Sequence, residues 1–244
     1  MSRSELDRIR TEYLARDSAA GGPYRWDNPG YISYMQGVER ALLRALADTG
    51  VSLTGARVLD VGCGSGYFLH RLWDYGAGEA HGIDLMENRI QAGRQRYPAL
   101  NLHVGSATEL PFEDGEFDLV SQFTCLSSIL DDDTRLAVAR EMKRVARGCV
   151  LSFDLRGLRR PGSKPSERTP TVGLDKRELH RLFGEPVLLR KANLAFELSQ
   201  LTGRHDLVAR ALAALPLLRS HFLGLWLVRS EGSDPAVGPR QAGE

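Results

Sequence analysis

The residues best placed to do chemistry are Val58-Leu59-Asp60-Val61-Gly62-Cys63-Gly64-Ser65-Gly66 and Asp84, which follows eighteen residues after Gly66. Their types and spacing suit a nucleoside. An apolar run that stops abruptly at glycines is a buried strand entering a sharp turn, and a ligand lying against that turn leaves no room for Cβ atoms. An acid at the end of the following strand accepts hydrogen bonds from both ribose hydroxyls of an adenosine. Strand, glycine turn, helix, second strand and terminal acid all occur in order, which separates the pattern from an isolated tight turn. Tyr67 stands where a dinucleotide fingerprint has glycine, because the third glycine comes one place early at Gly66. A pyrophosphate against the helix start is therefore disfavoured. No GK[ST] follows the glycines, so the turn is not a P-loop.

Positioning these residues takes alternating strands and helices. Apolar runs predict strands over residues 57–61, 80–85, 102–104, 117–121 and 149–154, and helical spacing of Phe68, Leu69, Leu72 and Trp73 predicts a helix over 67–75. Further helices are expected over 87–97 and 132–146. This alternation implies parallel strands joined by right-handed crossovers, hence a doubly wound α/β sheet. Residues 156–171, rich in Arg, Pro, Gly and Ser, read as a long loop. A helix over 175–183 capped by Asp175, a strand over 186–194, a helical stretch over 197–215 and a last strand over 222–228 follow. The expected organisation is an N-terminal helical and aromatic lid segment (1–50), a ligand-binding domain (51–230) with a helical insertion before the last strand (196–220), and a flexible tail (231–244).

Residues 60–66, with Asp84 in Gly82-Ile83-Asp84-Leu85, resemble the first two motifs of class I S-adenosylmethionine-dependent methyltransferases of the bacterial small-molecule type, and the resemblance runs over residues 57–154. It implies a Rossmann-like, mostly parallel seven-stranded sheet whose final strand is antiparallel to the rest. It also implies S-adenosylmethionine as cofactor and S-adenosylhomocysteine as product. Under the resemblance Asp60, Gly62, Cys63 and Gly64 belong to the cofactor site, the last three under the methionine part; Asp84 holds the ribose and Leu85 packs on adenine. Residues 105–112 match the family's adenine loop, with Ser106, followed by Ala107, where many members carry Asp. Gln122 and Phe123, after the fourth strand, fall near the sulfonium.

Tyr24, Trp26 and Tyr31 lie in an aromatic, turn-forming stretch ahead of a helix expected over 32–47. As a lid they would close over an apolar acceptor and the sulfonium; as core they would cover one side of the sheet. Arg159, Arg160 and Lys164 in the basic loop suit an anionic group or a carrier protein, or stand solvated. Methyl transfer asks for alignment more than for acid–base groups, so no catalytic residue is singled out; His180, His205 and His221 are the bases available should the acceptor be a hydroxyl. Cys125 has no sequence-adjacent His and reads as a small core residue.

A formal net charge of +1, from 32 basic and 31 acidic side chains, gives no general attraction to nucleic acid or anionic lipid. Neither a secretory signal nor a membrane span is expected. Three widely spaced cysteines without a CxxC pair speak against a disulfide framework or a zinc site and suit the cytoplasm. The expected function is methyl transfer to a small molecule, with a homo-oligomer or carrier protein as further partners. The competing readings are a nucleotide-dependent oxidoreductase and a non-catalytic S-adenosylmethionine-binding protein.

Overall fold

The computed structural model describes residues 3–18, 26–157, 171–194, 215 and 218–228. Its centre is a seven-stranded sheet in the order β3-β2-β1-β4-β5-β7-β6. The strands are β1 (Arg57–Val61), β2 (Glu79–Asp84), β3 (Asn101–Val104), β4 (Phe117–Phe123), β5 (Ala146–Leu155), β6 (Leu188–Leu194) and β7 (Arg219–Leu227). Strands β1 to β5 pair in parallel, and β7 is antiparallel to both β5 and β6. The antiparallel last strand is as the family resemblance implies. After β3 the chain crosses to the other side of β1, so the carboxyl ends of β1 and β4 diverge and leave a crevice at the switch point.

Parallel strands covered on both faces read as near-continuous apolar runs, and β1 shows why. Val58 joins the core shared with α2 (Pro29–Thr49) and α3 (Tyr67–Asp74), whereas Leu59 and Val61 join the opposite core shared with α5 (Asp132–Val145) and α6 (Lys176–Phe183). Caps set the helix starts. Asn28 accepts from Gly30 N at 2.9 Å, Asp131 from Thr134 N at 2.9 Å and Asp175 from Glu178 N at 2.8 Å. Pro29, in the first turn where no backbone donor is needed, starts α2 three residues before the expected 32–47.

Sequence periodicity misses α1 (Arg3–Ser18), because that helix is polar nearly all round and is supported by the ion pairs of Arg8 with Glu5 and Glu12. Strand β4 runs to Phe123 rather than 121, and β7 starts at Arg219 rather than 222; polar Gln122 and His221 interrupt the apolar pattern but lie buried within the ladder. The expected helical insertion, the interior of the loop at 156–171 and the tail at 231–244 fall outside the described residues.

Strand β2 carries Asp84, and its approach to β1 depends on Gly82, which pairs with Asp60. A Cβ at Gly82 would lie 2.7 Å from Cys63 Sγ and 2.9 Å from methyls of Leu69 and Leu102. Gly82→Ala is expected to cost about 1–3 kcal/mol by overpacking, read as a lower urea midpoint at unchanged slope.

Candidate active site

Between β1 and α3 the backbone is left-handed at Gly62, Gly64 and Gly66, with φ of 71°, 56° and 85°. The turn is pinned to β2, since Gly62 N and Cys63 N donate to Ile83 O at 2.8 and 3.1 Å. The glycines meet different constraints. A Cβ at Gly62 would lie 2.6 Å from Cys125 Sγ, whereas one at Gly64 would meet nothing within 4 Å and would project into open space. Gly64 is therefore glycine for its backbone conformation and for what lies against it.

Asp84 closes this cradle. Its Oδ2 accepts from Gly64 N at 2.8 Å and its Oδ1 from Met86 N at 2.8 Å. Burial holds the carboxyl above its ordinary pKa, against the lowering effect of those two amides. One lone pair on each oxygen is thereby used, and the others remain for ligand hydroxyls.

A cavity of about 1350 Å3 opens beside Asp84. Leu85, Ser106 and Ala107 line one end, Cys63 and Gly64 the middle, Phe123 and Phe153 the other end. The loop at 105–108 is tied in by Gly105 N, which donates to Asp84 O at 2.9 Å. Ser106 spends its hydroxyl within its own turn, 2.8 Å from Thr108 Oγ1. Phe123 stacks on Phe68 with ring centroids 4.2 Å apart. Trp26 and Tyr31 also line the cavity, 5.3 Å apart and edge to face, with Trp26 4.7 Å from Tyr67; Tyr24 falls outside the described residues.

Two expected site residues stand behind the wall instead of on it. Asp60 is buried opposite Ser121, whose hydroxyl donates to Asp60 Oδ1 at 2.8 Å, and desolvation pushes its pKa up to about 7. Gln122 does not reach the place beside the sulfonium expected for it. Its amide nitrogen donates to Ser152 Oγ and Asp154 Oδ2 at 2.5 and 2.9 Å, and its Oε1 accepts from Cys125 N at 2.8 Å. A buried amide must satisfy both ends, and here the neighbouring strand and turn do so. Cys125 is on the wall, and burial raises its thiol pKa above the ordinary value, which disfavours the thiolate. Of the histidines, His180 is exposed beside Glu185, His205 lies outside the described residues, and His221 is buried against Tyr34.

Two features of the site go beyond the sequence reading, which expected a helical lid segment over 1–50 but named no residue of α1. Helix α1 lies across the cavity with Leu6, Ile9 and Tyr13 on its wall. At one end Glu5 accepts from Leu130 N at 2.7 Å and Arg8 donates to Ser128 O at 2.8 Å; at the other Asp17 pairs with Arg89 at 2.5 Å. The spacing of Leu6, Ile9 and Tyr13 on one helix face is the signal that could have found it. Thr124, also on the wall, has φ of 61°, rare for a β-branched residue, and is held there by its N–H to Phe153 O at 2.7 Å.

Comparisons with known proteins bear on this arrangement. Residues 58–148 match the family model described as methyltransferase domain. The chain is 36% identical over 118 residues to demethylmenaquinone methyltransferase of Staphylococcus aureus, a match covering 46% of this chain and 47% of that protein. It thus spans about half the length of the curated relatives it matches. Among solved structures, magnesium protoporphyrin IX methyltransferase from Synechocystis with bound S-adenosylmethionine superposes with a TM-score of 0.63 at 14% identity, covering 93% of this chain and 97% of that one. The fold is shared with these Rossmann-like methyltransferase structures, and residues 58–148 are the part that resembles the methyltransferase-domain model. The [4+2]-cyclase SpnF also superposes, with a TM-score of 0.63 at 19% identity over 92% of this chain and 94% of its own. The fold thus does not fix the reaction.

The raised pKa of Asp60 has a consequence for stability. The folded state holds this proton more tightly than the unfolded chain, so the contribution is fully present below about pH 4 and is lost as pH rises through about 7. Asp60→Asn is expected to gain melting temperature over the parent protein between pH 5 and pH 8; parallel melting curves across that range would show that Asp60 does not titrate there.

Proposed function

We propose that this chain transfers the methyl group of S-adenosylmethionine to a small-molecule acceptor. The observation that carries this reading is the Asp84 carboxylate on the cavity wall, tied to Gly64 and facing a space bounded by the adenine-type loop at 105–108. S-adenosylmethionine supplies a methyl group already activated on sulfur, which leaves binding, orientation and exclusion of water to the protein.

Asp84 accepts the ribose hydroxyls, and Leu85 and Ala107 offer apolar contact to the adenine, where Ser106 replaces the usual acid. Cys63 and Gly64 lie along the methionine part, with Asp60 acting through the strand end behind them. Phe123 presents a ring to the sulfonium, whose charge ring faces favour. Helix α1 with Trp26 and Tyr31 covers the site. The aromatic end, with Phe68, Phe123 and Phe153, is suited to an apolar acceptor; the relative's name, demethylmenaquinone methyltransferase, agrees with that character. An oxidoreductase reading is poorly supported, because Tyr67 begins α3 and packs on Trp26 where a pyrophosphate would need an open helix start. All three cysteines are free thiols, which supports a cytoplasmic setting; among the described residues no helix is long and apolar enough to cross a membrane.

Calorimetric titration with S-adenosylmethionine, S-adenosylhomocysteine, NAD and NADP tests the reading. Binding of the two sulfur compounds alone is expected; binding of only a nicotinamide cofactor overturns it. Asp84→Ala should weaken S-adenosylhomocysteine binding by about 2–3 kcal/mol, on the order of 30- to 150-fold, through loss of two charge-assisted bonds. Unchanged affinity in a folded variant would remove Asp84 from the site.

A further inference from the structure

At the aromatic end of the cavity, away from Asp84, the wall includes Tyr34 of α2 and Phe153 of β5. Tyr34 Oη lies 3.0 Å from Nε2 of His221 on β7. Nδ1 of the same ring lies 2.8 Å from Ser220 Oγ, and the Ser220 carbonyl accepts from Arg156 N at 2.8 Å. The imidazole stacks on Phe153, with centroids 4.7 Å apart and planes 12° apart. His221 pairs with Leu155 at the carboxyl end of β5, the same sheet edge on which the glycine turn opens. Ser220, His221 and Tyr34 thus form a hydrogen-bonded line whose last member, Tyr34, is on the cavity wall. A fully bonded imidazole in an apolar layer is an expensive substitute for a packed Leu or Phe, which gives reason to look for a use.

We infer that Tyr34 meets the hydroxyl of a planar phenolic acceptor and that His221, oriented by Ser220, receives the proton passed through Tyr34. This rests on the methyl-transfer reading above. The acceptor O–H proton goes to Tyr34 Oη while the proton of Tyr34 goes to His221 Nε2. The electron pair left on the acceptor oxygen forms the new O–CH3 bond, and the pair of the broken S–C bond stays on sulfur. The tautomer required carries its proton on Nδ1, donated to Ser220 Oγ. Phe68, Phe123 and Phe153 line the cavity together with Tyr34, an apolar aromatic wall that suits a flat ring.

The surroundings keep His221 neutral. Among the described residues Tyr34 from α2, Phe153 and Leu155 from β5 and Ala192 from β6 face it, while Asp154 and Lys191 pair with Phe222 and lie on the opposite pleat. Along its own strand Arg219 donates to Lys191 O at 3.0 Å, and Arg190, on the same pleat, is paired with Asp48. Burial lowers the imidazole pKa to about 4. Such a weak base suffices, because the acceptor oxygen becomes strongly acidic as its bond to the methyl group forms, and it gives the proton up again readily.

The test uses catechol, whose hydroxyls stay protonated through about pH 8, as acceptor probe. In protein labelled with 15N at histidine and saturated with S-adenosylhomocysteine, the catechol should shift the His221 Nε2 resonance. Tyr34→Phe should abolish that shift while S-adenosylhomocysteine affinity stays at the parent value. With S-adenosylmethionine, Tyr34→Phe should lower kcat for catechol methylation at least about tenfold. The parent kcat should be flat from pH 6 to pH 8, whereas His221→Gln should show kcat rising by up to about tenfold per pH unit as hydroxide replaces the lost base. If His221→Gln does not fold, Ser220→Ala and Tyr34→Phe carry the same two readouts. A Tyr34→Phe protein with parent kcat and an intact resonance shift, or variant and parent pH profiles that run parallel, reduces the line to packing and overturns the inference. Failure of the catechol to bind while S-adenosylhomocysteine binds also overturns it and leaves the cofactor reading standing. Failure of S-adenosylhomocysteine to bind sinks that earlier reading instead.

Discussion

The hydrogen bond from Gly64 N to Asp84 Oδ2, 2.8 Å long, joins the turn after β1 to the end of β2, and the cavity takes its form from that junction. A carboxylate taken out of water must be compensated by donors that cannot move away. Here they are backbone amides of Gly64 and Met86, fixed by the strand end on one side and the start of α4 (Glu87–Arg96) on the other. Gly64 presents its amide from a left-handed conformation that favours glycine, and a glycine leaves the Cα bare toward the cavity. The polar contact and the empty space beside it therefore share one cause.

Around this junction the cavity divides by chemistry. The end toward β2 and β3 offers hydrogen-bonding groups and short side chains, and the end toward β4 and β5 offers rings. The sheet order produces the division, since β1 and β4 lie side by side at the switch point and carry the two halves of the wall. One ligand lying across that point would be held by polar contacts at one end and by dispersion at the other.

Much of this was legible in the sequence. The glycines at 62, 64 and 66 and the acid at Asp84 are legible because backbone conformation and close approach restrict those positions to one residue type. Strand order and the antiparallel last strand were legible only through family resemblance, since periodicity reports burial and not pairing. Gln122 was misplaced because residues successive in a strand point to opposite faces, and a polar residue at a strand end gives no hint of which face is the cavity. Phe123 faces the cavity and Gln122 the opposite core, where Asp154, itself buried, supplies the partner. The pairing of Tyr34 with His221 spans 187 positions in sequence, and no local pattern could disclose it.

Helix α1 carries a different kind of information. It lacks a broad apolar stripe; Ile9 packs on the core and Tyr13 Oη lies 2.7 Å from Ser128 Oγ, while Glu5 and Arg8 hold one end and Asp17 with Arg89 the other. The partly exposed pair of Asp17 with Arg89 weakens with ionic strength, whereas the buried Glu5 is screened far less. Added salt therefore loosens the Asp17 end of the cover more than the Glu5 end, so the two ends of the site differ in their sensitivity to the medium.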